Sequence, residues 1–67
     1  MSYPNLRMEL FKNNITLEEL SKYLNLHRNS ISNKVNGHSS FSIEEASKIQ
    51  KKYFPQMPIE YLFKKED

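Results

Sequence analysis

The chain contains no cysteine, no tryptophan and only one glycine, Gly37. Without cysteine there is no disulfide, no thiolate nucleophile and no zinc site built on cysteine ligands. One glycine is too few for a glycine-rich phosphate-binding loop. The apolar runs are only a few residues long, far short of the roughly 20 residues that a membrane-spanning helix needs. The sequence therefore predicts neither a signal peptide nor a membrane segment.

Side chains that could support catalysis are scattered along the chain. His27 and His38 have no cysteine or carboxylate cluster to complete a metal site. The serines have no histidine and aspartate partners at a spacing typical of nucleophilic catalysis. We expect no enzyme, no cofactor and no metal site.

The length of 67 residues allows one domain with one small core and leaves no room for a separate effector domain. We expect a single domain over residues 1–67, in which residues 64–67 form a frayed tail.

The net charge is small, but the charged residues are unevenly distributed. The net charge is only +2, yet residues 20–43 contain no Asp or Glu, while Lys22, Arg28 and Lys34 lie there. The ordinary explanation is that a polar helix face lacks acids by chance. The alternative is a locally basic surface on a nearly neutral protein.

Apolar residues recur at helical spacing and predict an all-α fold of five short helices. We expect these at 5–12, 17–24, 28–35, from after Ser42 to before Pro55, and at 58–63. Thr16 with Glu19, and Ser42 with Glu45, have the spacing of capping boxes. The fourth helix has a stripe of Ile43, Ala46, Ile49 and Tyr53. The expected core is Leu6, Leu10, Leu20, Leu24, Ile31, Val35, Ala46 and Ile49.

Residues 16–37 carry the most informative pattern, two short amphipathic helices joined by a tight turn. Asn25 can adopt the left-handed conformation that such a turn needs. The second helix would bury Ile31 and Val35 and end at Gly37, a C-cap residue. This arrangement is typical of a helix-turn-helix motif.

The order of these motifs resembles the lambda-repressor/Cro-like, or XRE-type, helix-turn-helix family, which includes small phage regulators. The matching segments lie within residues 5–63 and are TLEEL, LNL, SIS, KVNG, EEASKI and PIEYLF. Family members usually have glycine where this chain has Asn25. Many have an Arg–Glu pair between helices 1 and 3 where it has Leu10 and Val35, and an apolar pair is a reasonable replacement because buried ion pairs often add no net stability.

The resemblance implies a compact lambda-repressor-like domain and a sequence-specific DNA-binding transcriptional regulator of the phage Cro or repressor type. The helix at 28–35 would enter the major groove of a double-stranded operator. The candidates for base readout are Arg28, Asn29, Ser32 and Asn33, because arginine can grip guanine and asparagine can grip adenine. The alternative is that these residues form only a solvated helix face.

The family also implies contacts between the DNA backbone and the loop after the third helix. The candidates are Lys34, Asn36, His38, Ser39 and Ser40, although a serine-rich loop can equally be an ordinary linker. His27, at the start of the helix, can act as a cap or contact DNA. Because one helix reads few bases, we expect a homodimer on half-sites about one helical turn apart.

The C-terminal quarter holds more apolar side chains than a small core can bury. We expect Tyr53, Ile59 and Leu62 to be buried. Part of the rest would form an exposed protein interface, with Phe54, Met57, Tyr61 and Phe63 as candidates, although these residues can also complete the core. Such an interface leaves a rival function, an anti-repressor or modulator that binds a cognate repressor protein.

RNA binding ranks third, because the aromatic residues do not alternate with basic ones as on a stacking platform. We expect a cytoplasmic location, in a bacterial host cell if the chain comes from a phage.

Overall fold

A computed structural model describes residues 2–66, which form five helices joined by short loops. The helices are α1 Pro4–Lys12, α2 Leu17–Leu24, α3 Arg28–Val35, α4 Ile43–Tyr53 and α5 Ile59–Leu62. The predicted all-α fold is confirmed. No helix in the described part of the chain is long and apolar enough to cross a membrane.

Helix α1 begins at Pro4, one residue before the predicted start. Proline suits a first turn because its fixed φ is helical and its missing N–H has no partner to lose there. Asn13 is the C-cap of this helix, and its side-chain amide donates to the carbonyl oxygen of Glu9 at 2.8 Å. Asn14 then turns the chain with φ 57°.

Local signals fix both ends of α2 and the turn into α3 as the sequence predicts. The Thr16 hydroxyl accepts a hydrogen bond from the Glu19 N–H at 3.1 Å and caps α2. Asn25 ends α2 in the left-handed region, with φ 56° and ψ 45°. The Leu26 N–H then donates to the carbonyl oxygen of Ser21 at 2.9 Å, which closes the turn into α3.

Helix α4 has a complete capping box. The Ser42 hydroxyl accepts from the Glu45 N–H at 3.0 Å, and Glu45 Oε1 accepts from the Ser42 N–H at 2.9 Å. At the other end, the Gln50 side-chain amide donates to the carbonyl oxygen of Met57 at 3.0 Å and bridges the turn into α5.

Helix α5 is shorter than predicted. Pro58 has φ −64° and ψ 138° and is the N-cap, so helical geometry begins only at Ile59. Proline adopts an extended ψ as readily as a helical one. The presence of Pro58 therefore does not show whether it is the N-cap of α5 or its first helical residue.

The core contains seven of the eight predicted residues. Three further side chains, Tyr3, Phe54 and Leu62, are buried with them. The prediction that Leu24 belongs to the buried core is wrong. Leu24 is the last residue of α2 and lies half-buried at the edge of the core. Leu62 is buried as expected, whereas Tyr53 and Ile59 are only half-buried.

The stripe on α4 also needs a correction, because Ile43 is 88 % exposed. At 100° per residue, Ile43 lies about 120° around the helix from Ile49. A helix that buries Ala46 and Ile49 therefore leaves Ile43 at the edge of its apolar face.

Within the predicted frayed tail, the structure places one regular contact, at Glu66. Ser2 and Glu66 form an antiparallel β-bridge with N–H···O distances of 2.8 and 2.9 Å. Asp67, the last residue of that prediction, lies outside the described residues. The bridge brings the two terminal segments together beside the loop between α3 and α4.

Candidate nucleic-acid interface

Helix α3 separates an apolar face from a polar one. Ile31 and Val35 are buried. The predicted base-reading residues lie at positions i, i+1, i+4 and i+5, so the helix brings them to one face. Of these, Arg28, Asn29 and Asn33 are exposed, and Ser32 is half-buried.

Asn36 belongs to the same face. Its side-chain amide donates to the Ser32 hydroxyl oxygen at 3.3 Å, one helical turn back. The Ser32 hydroxyl accepts in this bond, so its own proton remains free to be donated. The two side chains extend the polar surface of α3 past its last turn.

The N-terminus of α3 differs from those of its neighbours. Thr16 caps α2 and Ser42 caps α4, and both helices carry two glutamates in the first turn. His27 at the N-cap of α3 makes no side-chain cap hydrogen bond, and the first turn of α3 has no acidic residue. The free N–H groups and the positive end of the helix dipole are therefore not neutralised by this helix's own side chains.

An open groove of about 500 Å³ runs between the starts of α2 and α3. Arg28 lines it together with Glu18, Glu19 and Lys22. Glu18 pairs with Lys22 at 3.7 Å across the exposed surface of α2. Carboxylates of α2 therefore border the acid-free surface at Arg28.

Lys34 is engaged within the protein. Its Nζ atom donates to the carbonyl oxygen of Ser40 at 3.1 Å and to Glu45 Oε1 at 3.0 Å. Only 18 % of its side chain is exposed. The ammonium group therefore links α3 to α4 and to the intervening loop, and this geometry does not favour the predicted contact with a DNA phosphate.

The partner carboxylate is tuned to stay ionised. Burial acts to raise the pKa of Glu45, but the Ser42 N–H and the hydrogen bond and charge of Lys34 act in the other direction. Together they hold the pKa of Glu45 below its ordinary value. The ion pair with Lys34 is therefore intact at neutral pH.

The loop after α3 folds back onto the end of that helix. Gly37 takes φ 90°, which other residues adopt at a cost. The N–H groups of His38 and Ser39 then donate to the carbonyl oxygen of Asn33 at 2.8 and 3.2 Å. Three candidates for contact with the DNA backbone are exposed beside the C-terminal end of α3. They are His38, Ser39 and Ser40.

A family model described as helix-turn-helix matches residues 6–54, well over half of the chain. The chain belongs to the helix-turn-helix family of the lambda-repressor/Cro-like type. Members of this family are DNA-binding transcriptional regulators rather than enzymes. No curated protein and no solved structure matches the chain.

The matched segment contains the whole helix-turn-helix, from the Thr16 cap to Gly37, and continues through α4. Leu10 and Val35, the apolar pair at the family's Arg–Glu positions, are both buried in the core. Among residues 2–66, no group of three or more histidines and carboxylates could hold a metal ion.

The predicted protein interface is corrected in part, because Phe54 is only 3 % exposed. It caps α4 and lies in the core, so it offers no surface to a partner. Met57 and Phe63 are half-buried and pack against the core. Tyr61 is 37 % exposed, and its hydroxyl donates to Glu9 Oε2 at 3.0 Å. That hydrogen bond raises the pKa of Tyr61.

Among residues 2–66, the most exposed apolar side chains of this helix-turn-helix protein lie elsewhere. They are Ile43 and Phe11, 88 % and 84 % exposed. Ile43 borders an apolar groove of about 310 Å³, lined also by Phe41, Ile59 and Phe63. The position of Ile43 on the helical wheel of α4 is the sequence signal that could have found it.

Proposed function

We propose that this chain is a sequence-specific regulator of the phage Cro or repressor type, which reads the major groove of a double-stranded DNA operator with α3. The observation that carries the proposal is the exposed polar face of α3, which holds Arg28, Asn29 and Asn33 without a single carboxylate. The buried Ile31 and Val35 fix that face relative to the core.

In this proposal each exposed side chain has a distinct role. Arg28 donates two hydrogen bonds to O6 and N7 of a guanine, and Asn29 and Asn33 pair with N6 and N7 of adenines. Ser32 donates its free hydroxyl proton to a base acceptor. His27 and the uncapped start of α3 meet an acceptor on the DNA, because these N–H groups have no acidic side chain in their first turn.

The backbone contacts come from the loop and the end of α3. Asn36, His38, Ser39 and Ser40 are assigned to phosphate oxygens, because they are exposed beside the reading face. Lys34 supports these contacts indirectly, through its bond to the carbonyl oxygen of Ser40.

One recognition helix discriminates weakly, since each good bidentate contact is worth about 1–3 kcal/mol. We therefore include a homodimer on a palindromic operator in the proposal. Half-sites about one helical turn apart would match two copies of α3. The protein would act in the cytoplasm, in a bacterial cell if its origin is a phage.

Selection of binding sites from random double-stranded DNA with the purified protein tests the proposal. We expect an enriched palindrome and an affinity that falls as salt rises, because Arg28 and the net positive charge of the protein displace counterions from the DNA. Enrichment of a non-palindromic site would remove the dimer from the proposal. A pool without any enrichment would reject sequence-specific reading.

A second function is favoured by Ile43, which is 88 % exposed beside the apolar groove lined by Phe41, Ile59 and Phe63. A protein that displays such side chains can bind another protein through them. In this alternative the chain is an anti-repressor or modulator, which binds a cognate repressor and alters its affinity for DNA. Weak, salt-insensitive DNA binding by the isolated protein, together with a stable complex with a repressor, would favour it.

A further inference from the structure

Both ends of the chain hold the loop that follows α3. The Tyr3 hydroxyl oxygen accepts a hydrogen bond from the Phe41 N–H at 3.0 Å, across 38 residues of sequence. Lys65 Nζ donates to the Ser40 hydroxyl oxygen at 2.8 Å, across 25 residues. Two neighbouring loop residues are thus fixed by side chains that lie outside the helix-turn-helix.

The hydroxyl of Tyr3 is rigidly placed. Tyr3 is buried, and its ring centroid lies 5.3 Å from that of Phe41 and 5.8 Å from that of Phe63. The Phe41 and Phe63 rings are themselves 5.4 Å apart. Three rings in mutual contact leave little freedom to each, so the Tyr3 oxygen defines where the Phe41 backbone lies.

Lys65 reaches the loop because the Ser2–Glu66 bridge holds its segment beside the N-terminal one. Its ammonium group lies 5.7 Å from the centroid of the Tyr3 ring, within the range of a cation–π interaction. Tyr3 and Lys65 therefore act on the loop as one connected unit.

We propose that Tyr3 and Lys65 are positioning residues for DNA binding, an inference that rests on the function proposed above. They hold Ser40 and Phe41 so that the exposed polar groups of the loop are in place before a phosphate arrives. A loop ordered in advance loses less conformational freedom on binding, and affinity rises accordingly.

The variant Tyr3→Phe tests this by removing one hydroxyl and keeping the ring. Its matched control is Tyr61→Phe, which removes the hydroxyl that bonds Glu9. The probe is a duplex of about 20 base pairs from the selection, long enough for two half-sites. Both variants are measured well below their unfolding temperatures, so that affinity is compared between folded molecules.

We expect Tyr3→Phe to weaken binding by roughly threefold to tenfold, the factor that corresponds to one hydrogen bond. The slope of log affinity against log salt should stay unchanged, because the loop side chains assigned to phosphates carry no charge and displace no counterion. The Phe41 amide proton should exchange faster with solvent, while base preference stays unchanged. Tyr61→Phe should leave affinity, slope and Phe41 exchange unaltered.

Lys65→Met and Lys64→Met provide a second pair, because both remove one charge from neighbouring exposed positions. We expect the loss of affinity to be several-fold larger at Lys65, and the excess measures its bond to Ser40.

Equal losses in either matched pair, or an unchanged affinity of Tyr3→Phe, would overturn the inference while DNA binding by the unaltered protein still stood. If the unaltered protein bound no DNA, the proposed function would fail, and the positioning role with it.

Discussion

At the scale of single residues, Glu45 shows how one carboxylate serves two purposes. Its Oε1 atom accepts from the Ser42 N–H within the capping box and from Lys34 at 3.0 Å. A carboxylate whose pKa is lower in the folded than in the unfolded protein stabilises the fold above its unfolded pKa. That stability is lost as the pH falls through the folded pKa.

The variant Glu45→Gln separates charge from capping, because glutamine is also accepted at this position of a capping box. We expect it to lower the free energy of unfolding by about 1 kcal/mol at neutral pH. The difference should shrink as the pH falls through the lowered folded pKa of Glu45, because the carboxyl is then protonated in both the folded and the unfolded protein. Urea unfolding at several pH values measures this.

The matched control is Glu44→Gln, which removes an exposed charge from the same first turn of α4. It changes the interaction with the helix dipole and leaves the Lys34 pair intact. A loss at Glu44 as large as that at Glu45 would contradict the role of the ion pair.

The burial of Ile31 gives a second prediction for a single residue. Ile31 is fully buried, so Ile31→Ala should lower the free energy of unfolding by about 2–5 kcal/mol by leaving a cavity. Ile43→Ala makes the same chemical change at an exposed site and should cost less than about 0.5 kcal/mol. A cost below about 1 kcal/mol at Ile31 would contradict its place in the core.

At the scale of elements, the sequence predicts α2 and α3 to the residue because their boundaries are set locally. The Thr16 cap, the left-handed Asn25 and Gly37 all act on their own few neighbours. The start of α5 depends instead on whether Pro58 is extended or helical, and neighbouring residues do not decide that. The exposure of Ile43, by contrast, could have been predicted from its position about 120° around α4 from Ile49.

Base reading is a property of α3 as an element, and it gives a prediction if the proposed function holds. Arg28→Ala and Asn33→Ala should each weaken operator binding by roughly 1–3 kcal/mol and relax preference at defined base pairs. Both residues are exposed, so the unfolding free energy should barely change. Repeating the site selection with each variant is the measurement, and an unaltered base preference would refute these assignments.

His38→Ala serves as the comparison for those variants. Removing a side chain that contacts only the DNA backbone should weaken binding to all DNA sequences alike, without changing the selected site. Lys34→Met should differ from the base-reading variants and from His38→Ala. It should lower the free energy of unfolding, because it removes the hydrogen bonds from Lys34 to Glu45 and Ser40.

At the scale of the whole molecule, sequence reasoning misses contacts between distant segments. Tyr3 and Phe41 lie outside the predicted core, and Lys65 falls in the predicted tail. No periodicity relates positions that are 38 or 25 residues apart. The burial of Phe54 has the same origin, because it depends on how α4 and α5 pack together.

Association with another chain is also a property of the whole molecule. We expect Ile43→Ser to weaken self-association, or binding to a repressor, while the unfolding free energy stays within about 0.5 kcal/mol. Phe63→Ser should instead destabilise the fold, because Phe63 packs against Tyr3 and Phe41. Analytical ultracentrifugation with and without a repressor measures association. Equal association of the Ile43 variant and the unaltered protein would exclude this surface.

The β-bridge between Ser2 and Glu66 has a consequence for the unfolded chain. Because two hydrogen bonds already hold these residues side by side, a short peptide linker could close the backbone into a ring without straining the folded protein. The ring would lower the conformational entropy of the unfolded chain, whose two ends are otherwise free to separate, and would leave the folded state unchanged. A cyclic form should therefore melt at a higher temperature than the linear chain, with α3 untouched.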